Sequence, residues 1–327
     1  MLSVVFRSRT FVAVLALLVV PVSAMAQTVE VGGRGYLDYF YNVAAPDRAS
    51  GGAEKDVHGF RYRRLYLTAD YVLSDAFSGR ARLEANEGTN GRPVVKDLSL
   101  TWAYSGDHSA TMGITPPPAF RIVEDVWGYR VLEKTIMDRQ GIVSSRDFGL
   151  RLDGLVTGDG TVRYAVMVAN NGTARPETDR AKRVYGQLAV RPSEQITVVV
   201  GADRAGYDDA RDASTRVSVF GGYATERVRV GVEGYGSRVT VRDKDPRTNV
   251  GASLFGAVQV SPRWDVVARF DRTVATRAGA DRFETLLLGG VAFNPHPNVG
   301  LIPNLRVRNP SDRAVSTTAR FTLRVQF

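Results

Sequence analysis

The sequence predicts an all-β protein, a transmembrane antiparallel β-barrel of about sixteen strands. An alternation of apolar and polar residues with a period of two recurs from Val29 to Phe327, which is typical of strands with one apolar and one wet face. Gly, Pro, Asp and Asn interrupt this alternation repeatedly, as turns do. No run of about 20 apolar residues in this part could form a membrane-spanning helix.

Residues 1–26 are typical of a cleaved signal peptide. Arg7 and Arg9 supply positive charge, an apolar run follows from Phe11 to Val20, and Ala24-Met25-Ala26 forms a small-x-small cleavage site. The apolar run is too short to cross roughly 30 Å of hydrocarbon as a helix, which argues against a membrane anchor. We therefore expect residues 27–327 to form the barrel. The sequence contains no Cys, so neither a disulfide nor a lipid-modified cysteine is expected.

The alternation defines the strands in order along the chain. In 77–84, for example, apolar or small residues occupy every odd position and polar residues every even one. The candidate strands are 28–43, 59–73, 77–87, 95–105, 109–115, 147–156, 161–170, 182–191, 195–203, 214–224, 226–237, 248–260, 263–273, 283–294, 298–308 and 317–327. A soluble sandwich is the alternative, but a closed barrel removes all strand edges and explains why Arg recurs opposite the apolar face.

The connections alternate in length, as expected for periplasmic turns and extracellular loops. The short ones are 74–76, 105–108, 157–160, 192–194 and 294–297. The longer polar ones are 44–58, 88–94, 171–181, 204–213, 238–247, 274–282 and 309–316. An even number of strands returns both ends of the chain to the side of the short turns.

One connection, residues 116–146, is far longer than the others. It opens on three prolines and has helical periodicity between Phe120 and Asp138. Because long loops in compact folds are usually functional, we expect this third extracellular loop to fold into the lumen as a constriction. Its charged residues include Arg121, Glu124, Asp125, Arg130, Glu133 and Lys134. A solvent-exposed cap above the barrel is the alternative.

Face assignment by alternation places an excess of Arg on the lumen side. The candidate pore-lining residues are Arg64, Arg80, Arg82, Arg151, Arg163, Arg183, Arg227, Arg229, Arg269, Arg306, Arg320 and Arg324, and Arg34, Arg191, Arg216 and Arg308 share that face. The lumen-facing acids are Glu30, Asp38, Asp70, Glu84, Asp97, Asp153, Glu233, Asp265, Asp271 and Glu284. Rings of positive charge select anions, and guanidinium suits carboxylate and phosphate. Any single Arg has the alternative role of bracing the wall against a neighbouring acid.

Charge and composition exclude several function classes. The net charge of +9 falls to +7 when Arg7 and Arg9 leave with the signal peptide, and a basic protein attracts anions. An exported chain without a nucleic-acid motif is not expected to bind nucleic acid. The three His residues lie far apart in the sequence, and no Gly-rich phosphate loop is present. We therefore expect no metal site, no cofactor and no enzymatic activity.

Five short motifs, taken in order, resemble the phosphate-selective porin O/P family. They are Arg63-Arg64-Leu65, Met112-Gly113-Ile114-Thr115-Pro116-Pro117, Arg146-Asp147-Phe148-Gly149, Val168-Ala169-Asn170-Asn171-Gly172 and Gly289-Gly290-Val291-Ala292-Phe293-Asn294-Pro295. The resemblance implies a sixteen-strand outer-membrane barrel that forms a homotrimer and passes anions. This chain is short for the family and lacks a Lys-rich run in its loops. The resemblance therefore implies anions in general and leaves phosphate specificity open.

The last seven residues resemble the final strand of outer-membrane barrels. Phe321 to Phe327 alternate strictly and stop on an aromatic, which in such proteins is recognised by the barrel-assembly machinery. The resemblance implies the bacterial outer membrane as location, with its lipid and lipopolysaccharide as partners. The first hypothesis is passive diffusion of small hydrophilic solutes with mild anion preference. The alternative is a structural or adhesive barrel that residues 116–146 plug.

Overall fold

A computed structural model describes residues 28–45, 54–172, 177, 180–207 and 212–327. The predicted signal peptide, 1–26, lies outside the described residues. Sixteen antiparallel strands close into one barrel in which each strand pairs with its chain neighbours and β1 pairs with β16. The all-β barrel fold predicted from the alternation is confirmed. No helix in the described ranges is both long and apolar enough to cross a membrane.

The strands agree closely with the predicted ones. They are β1 (Thr28–Ala44), β2 (His58–Val72), β3 (Phe77–Asn86), β4 (Val94–Ser105), β5 (His108–Thr115), β6 (Asp147–Leu155), β7 (Val162–Ala169), β8 (Lys182–Val190), β9 (Ile196–Gly206), β10 (Ala213–Ala224), β11 (Val228–Val241), β12 (Lys244–Ser261), β13 (Trp264–Arg277), β14 (Ala280–His296), β15 (Val299–Pro310) and β16 (Ser316–Gln326). A 3₁₀ turn (Glu87–Thr89) follows β3, and two short helices, α1 (Arg121–Trp127) and α2 (Ile136–Arg139), lie between β5 and β6.

Two segments predicted as longer loops are mostly strand. Residues 238–247 and 274–282 instead extend β11 to β14 and leave tight turns of two residues. Asp243 in the first turn and Ala278 and Gly279 in the second have positive φ values of 56°, 49° and 76°. Turns with positive φ match the twist of paired strands, so the hairpins continue beyond the point where the apolar alternation fades.

The outer surface of the barrel is apolar, as a lipid-facing surface must be. Val217 and Leu254, for example, are 57% and 50% exposed although both are apolar. Near the short turns, Phe77 stacks on Trp102 and Trp264 on Phe293, with ring centroids 6.3 Å and 4.6 Å apart. An apolar band with an aromatic girdle is the exterior of an outer-membrane barrel, in agreement with the predicted location.

Two bulges break the alternation on the lumen side. Tyr36 pairs with Arg64 but Leu37 pairs with Tyr62, so Arg63 is an extra residue in β2. A second register shift lies between Arg82 and Leu83 on β3 and adds Lys96 to β4. Because a bulge sets two residues against one, the side chains of two consecutive residues reach into the lumen at each place.

The long connection 116–146 folds into the lumen, as predicted, rather than forming a cap. Trp127, Leu132, Ile136 and Met137 are each 0–1% exposed. Helix α1 ends at Gly128, whose φ of 67° is left-handed. A Cβ there would lie 2.0 Å from Nη1 of Arg229 on the barrel wall, so glycine permits both the helix end and the close approach.

Candidate functional site in the barrel lumen

The apolar side chains of the long loop pack mainly on one part of the lumen wall. The indole of Trp127 lies 5.2 Å from the ring of Phe255 on β12, and Phe255 stacks on Phe220 of β10 at 6.2 Å. The other buried wall residues of this cluster are Ala189, Val199, Ala257, Val267, Leu288 and Ala292, together with Tyr36, Tyr66 and Ile302 on the remaining strands. A second buried cluster joins Ile136 and Met137 of the loop to Met167, Tyr185 and Tyr235. We call β7–β14 with the loop docked on it the sealed side.

Polar contacts fix the loop on the sealed side and across to the neighbouring strands. Arg269 donates to the carbonyl of Lys134 at 2.6 Å, pairs with Asp271 at 2.8 Å and lies over the Trp127 ring at 5.5 Å. The hydroxyl of Tyr129 donates to the carboxylate of Asp265. From outside this side, Arg320 on β16 donates to the carbonyl of Leu132 at 3.2 Å. The loop is therefore held as a fixed partition.

Three candidate pore-lining arginines lie behind this partition or beside it. Arg183 and the neighbouring Arg216 share the buried carboxylate of Asp203, and Arg216 also lies 3.3 Å from the sulfur of Met137. Arg269 is only 3% exposed. Arg229 lies over the Tyr129 ring at 5.8 Å. Arg229 and Arg269 therefore contact the loop, whereas Arg183 and Arg269 pair with neighbouring acids of the wall.

The opposite side of the lumen, formed by β1–β6 and β15–β16, is open and lined with arginine. We call it the open side. Three cavities follow one another along it from the strand tips at the long loops to the ends at the short turns. The first, about 400 Å³, lies near Ala44 and Ser316. Its charged lining residues are Arg61, Arg306, Arg308, Arg313, Arg320 and Glu54.

The second cavity, about 240 Å³, lies between the loop and β2. Its charged lining residues are Arg63, Arg64, Arg130, Lys134, Glu87 and Glu133. The guanidinium of Arg306 contacts Glu133 at 2.8 Å. Because Arg306 lines the first cavity and Glu133 the second, this ion pair marks the boundary between the two.

The third cavity, about 480 Å³, opens toward the short turns and shares Tyr36 and Arg130 with the second. Its other charged lining residues are Arg34, Arg80, Arg82, Arg121, Arg146, Glu30, Asp70, Glu124 and Asp125. Along the three cavities fourteen basic side chains face seven acidic ones. The excess of positive charge predicted for the lumen is therefore concentrated on the open side.

The acids that brace these arginines are buried beneath them. The side chain of Asp38 is 0% exposed and binds Arg61 and Arg63, which are 30% and 18% exposed. Glu84 and Asp97 are likewise 2% exposed, and they pair with Arg64, Arg82, Lys96 and Arg146. The cavity surface is therefore basic, with its counter-charges set back in the wall.

Other predicted residues make local ion pairs. Arg80 binds Asp70 with two hydrogen bonds of 2.5 and 2.9 Å. Arg151 pairs with Asp153 and also donates to the carbonyl of Pro116 at 2.9 Å, where the long loop begins. Arg324 donates to Asn294 at 3.1 Å. Arg163 and Arg227 are exposed at the short-turn ends, and no ion-pair partner is found for them within the described ranges.

Two acids in the long loop differ in their electrostatic environment. Burial alone would raise the pKa of Glu133, but the surrounding guanidiniums, that of Arg306 above all, lower it to about 2. For Glu124, burial raises the pKa and the nearby Arg130 opposes the rise only in part. Glu133 is therefore a fixed negative charge beside the first two cavities.

Strict alternation missed several lumen residues. Arg61 and Arg63 bind Asp38, and Lys96 binds Glu84 at 2.7 Å. The doublets Arg63-Arg64 and Lys96-Asp97 were the available signal, because two adjacent charges on a strand need a bulge to face the same side. Asp203 lies four residues after Val199 on β9 and therefore shares its lumen-facing side, which the alternation along this strand predicts.

Solved structures share this fold. The anion-selective porin from Comamonas acidovorans aligns with a TM-score of 0.69 and 12% identity, covering 92% of this chain and 100% of that one. The outer membrane channel DcaP of Acinetobacter baumannii gives 0.64 and 11%, covering 92% and 97%. OmpT, an outer membrane protein of Vibrio cholerae folded in vitro to a trimer form, gives 0.67 and 13%, covering 93% and 100%. At this identity the similarity shows the fold alone. No protein-family model and no curated protein sequence matches the chain.

Proposed function

We propose that this protein is an outer-membrane porin through which small hydrophilic solutes diffuse passively, with a mild preference for anions. The observation that carries the proposal is the open side of the lumen, where basic side chains outnumber acidic ones along three successive cavities and bracing acids such as Asp38 and Glu84 lie buried. Nothing in the proposal requires a chemical step, so no enzymatic role or cofactor is part of it.

The geometry favours weak binding at several positions over tight capture at one. Arg61, Arg64 and Arg82 are already paired with carboxylates, so an entering anion shares guanidiniums instead of meeting a bare one. Conduction needs sites that attract an ion and still release it. The lumen charge is also poorly screened over a Debye length of roughly 8–10 Å. A general anion preference fits this arrangement better than phosphate specificity.

Two finer parts of the proposal rest on similarity. The motif order resembles the phosphate-selective porin O/P family, and a structurally similar porin is anion-selective. A homotrimer is implied by the same resemblance and is supported by the trimer form of OmpT. Recognition of Phe327 by the barrel-assembly machinery completes the proposal, since this residue ends a strand that closes the barrel.

The reversal potential of single channels in a KCl gradient tests the selectivity. We expect a potential of the sign that marks chloride as the more permeant ion. The double variant Arg80→Ser with Arg82→Ser should move this potential toward zero, because both residues line the third cavity. The control is Arg263→Ser with Lys244→Ser, which removes two charges from the exposed turn and strand tip and should leave the potential unchanged.

Two outcomes would contradict the proposal. A wild-type pore that prefers potassium would show that the arginines serve only as braces. The absence of any conductance from a correctly folded barrel would favour the alternative, a structural or adhesive barrel whose lumen residues 116–146 close. The extensive burial of the loop on the sealed side is the observation that supports this alternative.

A further inference from the structure

Four basic side chains lie on the outside of the barrel, on the face that alternates with the lumen. They are Lys182 on β8, Arg204 on β9, Arg238 on β11 and Arg272 on β13, and all four are exposed. Asp281, on the same face nearer the tip of β14, accepts a hydrogen bond from Thr276. We call the four basic residues the basic collar.

Lys182, Arg204 and Arg272 lie close along their strands to apolar residues of the same outer face. Lys182 is two residues from Val184, Arg204 is four from Val200, and Arg272 is two from Phe270; these three apolar side chains are 43–50% exposed on the same face. All four basic residues lie toward the strand ends at the long loops, which face the cell exterior when both chain ends are periplasmic. The collar is therefore at the depth of the polar headgroups of the outer leaflet.

Two of the collar residues share one row of the sheet. Arg204 pairs with Thr215, and Thr215 pairs with Arg238 on its other side. The next partner in the row is Thr248. Adjacent strands are about 4.8 Å apart, so the two Arg Cα atoms are about 10 Å apart with a hydroxyl between them. Guanidinium and hydroxyl donors side by side suit the oxygens of a phosphate.

The collar guanidiniums have donors to spare. No ion-pair partner is found for Arg204 or Arg238 in the part of the chain that the structure describes. Arg272 lies over the Phe283 ring at 4.8 Å and gives one donor to Thr285 at 2.7 Å, which leaves most of its five N–H groups unused. Lys182 contacts Glu177 at 2.7 Å in an exposed pair.

The other side of the barrel has a different exterior. At the same ends of β1 and β2 the outward residues are aromatic or apolar, including Tyr39, Tyr41, Phe60 and Tyr62, which are 37–88% exposed. On β3–β7 the outward positions are likewise uncharged. The positive charge is therefore confined to the exterior of β8–β13, and a partner that recognises it must approach there.

We propose that the basic collar binds the phosphorylated headgroup of an outer-leaflet glycolipid, whose acyl chains lie along the apolar band below. A basic residue at an anionic membrane surface attracts it, and paired guanidiniums add hydrogen bonds to phosphate oxygens. The apolar surface directly beneath the charges favours a lipid over free phosphate, because it is available for acyl chains. This site is on the outside of the barrel and is independent of the proposed permeation.

Native mass spectrometry of the intact protein in detergent, titrated with bis-phosphorylated lipid A, tests this proposal. The variant Arg204→Gln with Arg238→Gln should weaken binding roughly 20- to 30-fold, if each residue contributes about as much as a basic residue near an anionic membrane. Lipid A without its phosphates should bind wild type only as weakly as the variant binds the intact lipid. Heat-modifiability on gels shows that each variant folds.

The matched control is Arg247→Gln with Arg277→Gln. It removes two charges from the same ends of β12 and β13, on the side of the alternation that faces the barrel interior, and should bind lipid A as wild type does. If both variants lost lipid A binding equally, net charge alone would explain the effect and the proposed site would be wrong. Equal binding of dephosphorylated lipid A, or full displacement by inorganic phosphate or phosphatidylglycerol, would overturn the glycolipid assignment.

Discussion

The sealed side and the open side of the lumen are built from the same kind of strand but interact with the long loop in opposite ways. On the sealed side, Phe220, Phe255 and Val267 point inward and bury the apolar face of the loop. On the open side, arginines occupy the inward positions and leave cavities between wall and loop.

The difference shows how one loop can fill part of a lumen and leave cavities along the rest. An apolar patch on half of the inner wall docks the loop through burial of side chains such as Trp127. The remaining wall leaves charged side chains at cavities beside the loop. These cavities lie toward β1–β6 and β15–β16, and their charge comes from that part of the wall together with loop residues such as Arg130 and Glu133.

Removal of the loop should have the largest effect, because it abolishes the difference between the sealed side and the open side. Deleting residues 120–138 takes away the partition, so the two sides merge and the single-channel conductance should rise several-fold. The strand pairings that close the barrel do not involve these residues, and the variant should remain heat-modifiable on gels. Unchanged conductance in a folded barrel would mean that the loop does not restrict the passage.

Docking on the sealed side should depend on Trp127. Its side chain is 0% exposed, and replacing a fully buried aromatic by Ala costs about 3–5 kcal/mol. Trp127→Ala should therefore loosen the loop, measured as faster cleavage by trypsin after the loop arginines. Phe40→Ala on the open side removes a ring that only lines the first cavity beneath Arg61. If trypsin cleaves Phe40→Ala as fast as Trp127→Ala, docking of the loop does not depend more on the sealed side than on the open side.

Charge removal on the two sides should separate stability from selectivity. Arg216 is buried with Asp203 and Met137, and breaking a buried ion pair costs about 3–5 kcal/mol. Arg216→Gln should lower the temperature at which the barrel unfolds, measured by its heat-modifiability on gels, and should leave the reversal potential unchanged. Arg61, 30% exposed at the first cavity, should do the reverse when changed to Gln, because Arg63 still pairs with Asp38. A change of ion selectivity in Arg216→Gln would show that ions also pass between the loop and the sealed side.

Acid should loosen the loop by a smaller amount, through Glu133. Its pKa is lowered from 4.5 to about 2, so its ionised form stabilises docking above pH 4.5 and that contribution is lost as the pH falls toward 2. Peptic cleavage of the loop should accelerate across that interval relative to an unfolded substrate, and this acceleration should be smaller in Glu133→Gln.

Glu124 provides the control of opposite sign. Burial raises its pKa, with Arg130 opposing the rise, so its ionised form opposes docking and protonation on acidification relieves that cost. Glu124→Gln should weaken docking at neutral pH less than Glu133→Gln does. The reverse order would show that the Arg306–Glu133 pair does not hold the loop.

Period-two alternation was sufficient to predict the sixteen strands and the barrel, and the unusual length of residues 116–146 predicted that they fold into the lumen. It could not predict the sealed side, because Phe220 and Phe255 occupy positions that the pattern assigns to a wet lumen. The bulges at Arg63 and Lys96 also lie outside a strict alternation. Which arginines reach the cavities depends on where the loop docks, and that is decided by contacts between distant parts of the chain.

The order in which the chain acquires its native pairings follows from the pairing of β1 with β16. Neighbouring strands can form as hairpins within microseconds, whereas Arg34 must find Gln326 across almost the whole chain. We expect this seam to form last and to limit the folding rate, as non-local pairings do. Phe327 marks its end: its backbone pairs with Gly33, and a Cβ on Gly33 would lie 2.1 Å from the Phe327 ring. A substitution that weakens this seam should therefore slow the closure of the barrel more than one that weakens a hairpin between neighbouring strands.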